Sequence, residues 1–472
     1  MSAPAGGPAW PELPAHIRAR AGGPAGDADG AAARVLAGAL RWLEQQREWF
    51  APERWEEFLP PRPFRAGPLV ELLGLVRVSA RAGLPAGGAG RLAEGGAGRL
   101  AEGAGLPSCA LDLAERAARA GDFAAGLRRA DELFPYHLNL VGLLELLGRP
   151  QPVLRGVCEA LIAADAGGHA RAYKPALNRI ELRYFLDRGG FRAPAHLPGL
   201  AALCRQSIAA QQPDVLQLTQ SETYALTHVL FYATDFGRHR RCLPAGEAAE
   251  RLAGSVRTLL GVHLARGSLD LLAELLLCDT AVAGVRPDDA LVARGWHALA
   301  TAQRPDGAVP SPVHRPGVLA GLAGEKAAAY LFGTCYHTTL AAALAAVVRI
   351  AASQTAAGQN PPARTAVSTR DRPTAPAPAP DRPTARAQAP APAPAAPLPV
   401  AEPGAIRRWA AGVEADGAAG PADRAHLEPL LVLAVQAHDP TVLADVLGAA
   451  ERLGDGDRPL VRRAAALLAA WA

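Results

Sequence analysis

Lysine is almost missing from this 472-residue chain: Lys174 and Lys326 are the only two, and arginine carries the remaining positive charge. Methionine occurs once, and aromatic residues make up 5%. Alanine, glycine and proline take their place, which is the composition of a GC-rich coding bias. The arginine excess is therefore no argument for nucleic acid. A net charge of +4 spread along the chain forms no basic stripe, and this removes the electrostatic footprint of a DNA or RNA binder. The six cysteines, at 109, 158, 204, 242, 278 and 335, include no Cys-x-x-Cys pair, so a disulfide framework is not expected and the thiols read as reduced and cytoplasmic. The first 30 residues have no basic segment followed by an apolar one. The longest apolar runs, Leu271–Leu277 and Leu340–Val348, fall short of a bilayer span, so no membrane is expected. Also missing are a phosphate-binding Gly-x-x-x-x-Gly-Lys, a Rossmann glycine triad, a nucleophile elbow and a His-Glu-x-x-His pair.

What remains is helical pattern. No segment alternates with the period of two that a strand needs. Apolar residues recur at helical spacing from about residue 31 to 352, punctuated by Gly, Pro or Asp, and include helices expected at 220–236, 268–283, 317–331 and 335–352. About fourteen helices fit this block by the spacing of the punctuation, near the number a closed ring of six helix pairs needs. Residues 1–30 read as a disordered leader. Residues 87–105 read as a Gly-rich loop, because the octad Gly-Gly-Ala-Gly-Arg-Leu-Ala-Glu occurs twice in succession from 87 to 102. Residues 353–403 read as a Pro/Ala-rich linker, and 404–472 as a small helical bundle that docks a partner or packs back on the main domain. The expected fold class is all-α: an α/α toroid-like barrel of helical hairpins, then the linker and the bundle.

Three polar clusters interrupt the apolar pattern. Thr223, Tyr224, Thr227, His228, Phe231, Thr234 and Asp235 share a stripe of a helix that is otherwise apolar, so the stripe must face a cavity, a polar network or water. Thr219 and Glu222 form a capping box at its start. Cys278-Asp279 closes the run Leu271–Leu277. Gly333-Thr334-Cys335-Tyr336-His337-Thr338-Thr339 opens a helix, with Thr334 as N-cap. In that first turn the helix dipole keeps His337 neutral, acidifies the Cys335 thiol, and leaves amides at Thr338 and Thr339 for an anionic group. His228 and Asp279 lie 51 residues apart and Asp279 and His337 lie 58 apart, about one helical hairpin each. Convergence of the three clusters in one cavity is the central expectation.

Several resemblances follow from these residues. The helix ending Gln303-x-x-Asp306-Gly307 resembles the repeat of terpene cyclases and protein prenyltransferases, in which the glutamine and the acid tie a helix end to its neighbour. The order Cys278, Asp279, His337 is similar to the zinc ligands of protein prenyltransferases, and Cys278, Cys335, His337 to those of lanthionine cyclases. The segments Thr-His-x-x-Phe-Tyr-x-Thr-Asp-Phe-Gly at 227–237 and Tyr-His-Thr-Thr at 336–339 resemble an uncharacterised actinobacterial helical family, which implies a shared site, with specialised metabolism as its setting.

The functional expectation is a metal-assisted enzyme acting on a peptide-like or small-molecule substrate. Zn2+ would be held among His228, Asp279, His337, Cys278 and Cys335. Tyr224, Tyr232 and Asp235 would serve in acid/base or positioning roles, with Thr227, Phe231, Thr338 and Trp296 against the substrate. The alternative is a non-catalytic small-molecule or peptide-binding scaffold whose segment 404–472 docks a protein partner.

Overall fold

The computed structural model describes residues 27–84, 105–286, 289–359, 401–413 and 421–471. The expected leader, the Gly-rich loop and most of the linker lie outside them. Among the described residues every regular element is helical. In chain order these are α1 (Ala28–Gln45), α2 (Pro52–Phe58), α3 (Gly67–Arg81), α4 (Leu106–Arg119), α5 (Gly121–Arg129), α6 (Phe134–Leu146), α7 (Pro152–Ala163), α8 (Ala176–Arg188), α9 (Leu200–Cys204) and α10 (Gln220–Thr234). They continue with α11 (Glu247–Arg266), α12 (Leu269–Ala283), α13 (Ala290–Ala302), α14 (Pro316–Ala320), α15 (Gly324–Gln359), α16 (Pro403–Gly412), α17 (Pro421–Gln436), α18 (Pro440–Arg452) and α19 (Pro459–Trp471).

Helices α3, α6, α8, α10, α12 and α15 surround a cavity of about 550 Å³. Each touches the next, and α15 returns to α3, so the contacts close into a ring. Helices α4, α7 and α9 back α3, α6 and α8; α11 and α13 back α12; α1 backs α15. The last turns of α3, α8 and α10 meet at one end: Arg77 Nη1 donates to the Tyr184 hydroxyl (3.0 Å), and Tyr184 donates to Asp235 Oδ1 (2.7 Å). These three helices therefore run in the same direction.

The capping box at α10 is present, with Thr219 N donating to Glu222 Oε2 (2.8 Å) and Glu222 N to Thr219 Oγ1 (3.2 Å). At the end of α13, Gln303 Nε2 donates to the Val35 carbonyl of α1 (3.0 Å) and to the Gly307 carbonyl (2.9 Å). Gly307 has φ +102°, and a Cβ there would run into the Gly38 carbonyl oxygen, so only glycine permits this approach to α1.

Two expectations are corrected. The segment 324–359 is one helix, not two separated at Gly333-Thr334. Thr334 Oγ1 donates to the Tyr330 carbonyl (2.7 Å) one turn back, a mid-helix bond rather than a cap. Gly333 lets Leu59 pack close, since a Cβ would stand 2.9 Å from Leu59 Cδ2. The second correction is that Gly324–Ala356 is long and apolar enough to cross a membrane by length and composition; 67% of its most apolar window is buried inside the fold. It is the core helix against α1, α3 and α12.

The described residues of 401–413 and 421–471 meet the rest of the fold on the outside of the ring. Helix α17 lies on α11, where Gly261 leaves room for Pro429 and Thr258 donates to Glu428 Oε2 (2.8 Å). Gln436 Nε2 donates to the Leu218 carbonyl ahead of α10 (2.9 Å).

Gly307→Ala should destabilise the chain by about 2–4 kcal/mol, because neither its φ nor the facing backbone can relax. Gly254→Ala, in open space inside α11, should stabilise it by about 0.5–1 kcal/mol. Thermal and denaturant unfolding of both variants checks the pair.

Candidate functional site

One wall of the cavity is built by α3, α10, α12 and α15. Asp270 and Glu274 stand four residues apart on α12, hence on one face. Both are buried, at 5% and 4% exposure. His337, from the middle of α15, points Nε2 at them, 3.6 Å from Asp270 Oδ1 and 3.9 Å from Glu274 Oε1. Its Nδ1 bonds Glu71 Oε2 of α3 (2.7 Å). One ligand atom each from Asp270, Glu274 and His337 lies within 4.8 Å of the others, so the three can hold a metal ion.

Helix α10 supplies the hydrogen bonds that allow these acids to be buried. Tyr224 donates to Asp270 Oδ2 (2.6 Å), Thr227 to Glu274 Oε2 (2.6 Å), and Thr338 of α15 to Asp270 Oδ1 (3.2 Å). His228 Nδ1–H donates to the Tyr224 carbonyl (2.8 Å), which leaves Nε2 outside that bond; His228 lines the cavity. Further along, Tyr232 donates to Glu181 Oε1 of α8 (2.8 Å), and both line the cavity.

Charge crowding shifts the titrations. Burial works against the charge on His337, but Glu71, by charge and hydrogen bond, together with Asp270 and Glu274, overrides it and pushes the pKa up to about 10. The 43% of its side chain that is accessible opens on the cavity it lines, where the acids dominate. Burial raises Glu274, with Asp270 adding to the shift and the two histidines and Thr227 opposing it. Burial also raises Glu181, against the Tyr232 hydrogen bond and the His228 charge. Tyr224 is pushed far up by burial and by Asp270, so it acts as a neutral donor and not a base.

The expected site residues therefore divide. His228, Phe231, Tyr232 and His337 line the cavity. Tyr224, Thr227 and Thr338 stand behind it, holding Asp270 and Glu274.

The other expected ligands turn elsewhere. Asp279 follows Asp270 by nine residues and Glu274 by five, so it projects about 180° and 140° around α12. It pairs with Arg286 (2.7 Å) on the outer side. Cys278 is fully buried, faces the Thr227 carbonyl (3.8 Å), and its thiol is pushed well up by burial. Cys335 stands about 160° around α15 from His337, against His314 and Thr334. Its thiol is pushed up to about 11 by burial, the reverse of the acidified group that an N-terminal position predicts. His337 departs from its expected neutral state for the same reason: mid-helix, it feels the carboxylates and not a dipole end, and the amides of Thr338 and Thr339 are not helix-end donors.

Trp296 is fully buried in the core of α13 and does not line the cavity. Asp235 accepts from Arg77 (2.7 Å) and Arg81 (2.8 Å), whose charges hold its carboxyl below the usual range despite burial; it is an ion-pair hub rather than a base.

Glu71, Glu181, Asp270 and Glu274 were missed by sequence reasoning. The readable signal was the pair Asp270 and Glu274, acids at i and i+4 inside an apolar run.

The raised His337 pKa has a stability consequence. A group charged more readily in the folded than in the unfolded state contributes stability fully below its unfolded value of 6.5 and loses it as pH rises toward about 10. Chelator-treated protein should thus lose more Tm between pH 7 and 10.5 than the His337→Gln variant does, as calorimetry across that range would show.

No curated protein and no solved structure matches the chain. The family described as a domain of unknown function, DUF6895, matches residues 36–347. That span contains five of the ring helices whole and the His337 turn of the sixth. The chain belongs to the DUF6895 family.

Proposed function

We propose that the chain is a metal-assisted enzyme acting on a small organic molecule inside the ring, and that the ring is the inner wall of an α/α toroid. The observation that carries the proposal is the cluster of two buried acids, Asp270 and Glu274, with His337, of which Glu274 and His337 line the cavity. Its ligand atoms come from two helices and face one point, and Glu71 fixes the imidazole through Nδ1 as an outer carboxylate does for a ligating histidine. Three protein ligands leave open positions for substrate or water. The donor set contains no thiolate, so Mn2+, Fe2+ or Zn2+ fits it, whereas a cysteine-bearing zinc site does not.

When bound, the ion supplies Lewis-acid polarisation or a water of lowered pKa. The chain supplies the rest. His228 offers Nε2 as a base into the cavity. Glu181, kept protonated to higher pH by burial, is the acid, and Tyr232 orients it. Phe185, Phe231 and Phe236 give the substrate an apolar bed. A non-catalytic ligand-binding protein would have little use for an imidazole surrounded by three carboxylates, since such crowding opposes folding unless a cation relieves it.

Elemental analysis of the full-length chain, purified without chelator, should find close to one first-row divalent ion per chain. Asp270→Asn, Glu274→Gln and His337→Gln should each lower occupancy at least tenfold, and Glu71→Gln should weaken affinity by about 10–100-fold. Asp279→Asn and Cys335→Ser should keep the metal. Because His337 must release a proton to bind, apparent affinity should climb by about tenfold per pH unit between pH 7 and 9. Folded wild-type protein that takes up no ion at pH 8.5 would refute the proposal.

A further inference from the structure

The two ends of the cavity carry opposite charge. The acid end holds Glu71, Asp270 and Glu274 around His337. The other end is formed by the last turns of α3, α8 and α10, where three guanidinium groups, of Arg77, Arg81 and Arg188, gather near a single carboxylate, Asp235. Arg77 and Arg81 divide that carboxylate between them. Arg188 has no acid within ion-pair distance among the described residues. Its guanidinium donates to the Asn139 side chain and lies over the rings of Tyr184 (4.9 Å) and Phe185 (5.3 Å). Its Nε is buried with no hydrogen-bond partner. Both Arg77 and Arg188 line the cavity.

A guanidinium with a buried, unpartnered Nε and no acid within ion-pair distance is costly to the fold. Three neighbours hold it in one orientation, so it is placed rather than adrift. Burial, and the neighbouring Arg77 charge, lower its pKa from the usual value. The adjoining wall is strained as well: Asp235, Phe236 and Gly237 take φ of +48°, +52° and +76° in succession. That is an unfavourable backbone for Phe236, retained while Arg77 and Arg81 clamp Asp235, and it delivers the Phe236 ring into the cavity.

We propose that Arg188, backed by Arg77, is a subsite for the carboxylate of an organic acid. The planar fork of arginine matches a carboxylate with two parallel hydrogen bonds. The apolar part of the ligand lies along Phe185, Phe231 and Phe236. Its far end reaches the His337 cluster, about 9 Å away by the six residues from Arg77 back to Glu71 on α3. This last step rests on the metal-assisted reading above, while the carboxylate subsite does not.

Calorimetric titration of the full-length chain with phenylacetate, 4-phenylbutyrate and 6-phenylhexanoate, each beside its neutral amide and beside phenyl phosphate, tests the subsite. It is run once with EDTA and once with Mn2+. At least one acid should bind with its amide at least tenfold weaker, in EDTA as well as with Mn2+. Arg188→Gln should weaken that acid at least tenfold, and Arg188→Lys should restore part of the loss. Arg188→Met should abolish the acid preference without lowering Tm, an outcome that a purely structural arginine would not give.

Equal binding of acids and amides, no binding across the panel, or an unaffected Arg188→Gln variant overturns the subsite. Binding of phenyl phosphate alone overturns its assignment to a carboxylate. If Arg188→Gln fails to fold, the wild-type comparison of acid with amide and the Arg188→Lys variant still decide. Acid preference in a protein that binds no metal leaves the subsite standing and removes the metal reading; metal uptake without acid preference does the reverse.

Discussion

The site depends on one electrostatic arrangement: a single imidazole, His337, set among the carboxylates of Glu71, Asp270 and Glu274. Buried acids repel one another and are costly to desolvate. Each is made tolerable by a specific donor, whether Tyr224, Thr227, Thr338 or the imidazole itself. Much of the polar stripe of α10 serves to hold the acids of α12, and the ring must close for α3, α12 and α15 to meet. A proton on His337 offsets part of the acids' charge in the free protein. A divalent cation would balance it better, since it brings two charges and releases that proton.

The ring explains how residues so far apart in sequence meet. With α3, α8 and α10 aligned in direction, their last turns collect arginines at one end, while the acids collect further back toward their starts. The cavity therefore has a polarity of its own. Helix α15 makes the closure possible. Its length places His337 well inside the helix, and its small residues, Gly333 among them, let neighbouring side chains approach closely.

Much of this was legible in the sequence. The all-helical class and the capping box at Thr219 rest on local chemistry, which sequence expresses directly; the bond from Gln303 to α1 is an expectation that only a resemblance supplies. The stripe of α10 and His337 were legible as polar residues that needed partners. Their partners were not. Asp279 follows the end of an apolar run and so reads as a candidate, but helix rotation sends it outward while Asp270, just before the run, and Glu274, within it, face inward. The break expected at Gly333-Thr334 failed because a glycine that admits Leu59 and a threonine that bonds back one turn look the same in sequence as a helix start. The thiols at Cys278 and Cys335 were read from order and spacing, and neither quantity tells which side of a helix faces the cavity. Glu71 and Arg188 lie outside the three polar clusters, so only the closed ring shows what they meet.

The most direct test is a crystal of the full-length protein soaked in Mn2+ at pH 8.5, with an anomalous difference map calculated at the manganese edge. The account predicts one strong peak, bonded to His337 Nε2 and to carboxylate oxygens of Asp270 and Glu274, with Glu71 still hydrogen-bonded to Nδ1. A map with no peak there, and His337 Nε2 bonded directly to a carboxylate as a protonated ring, would contradict it.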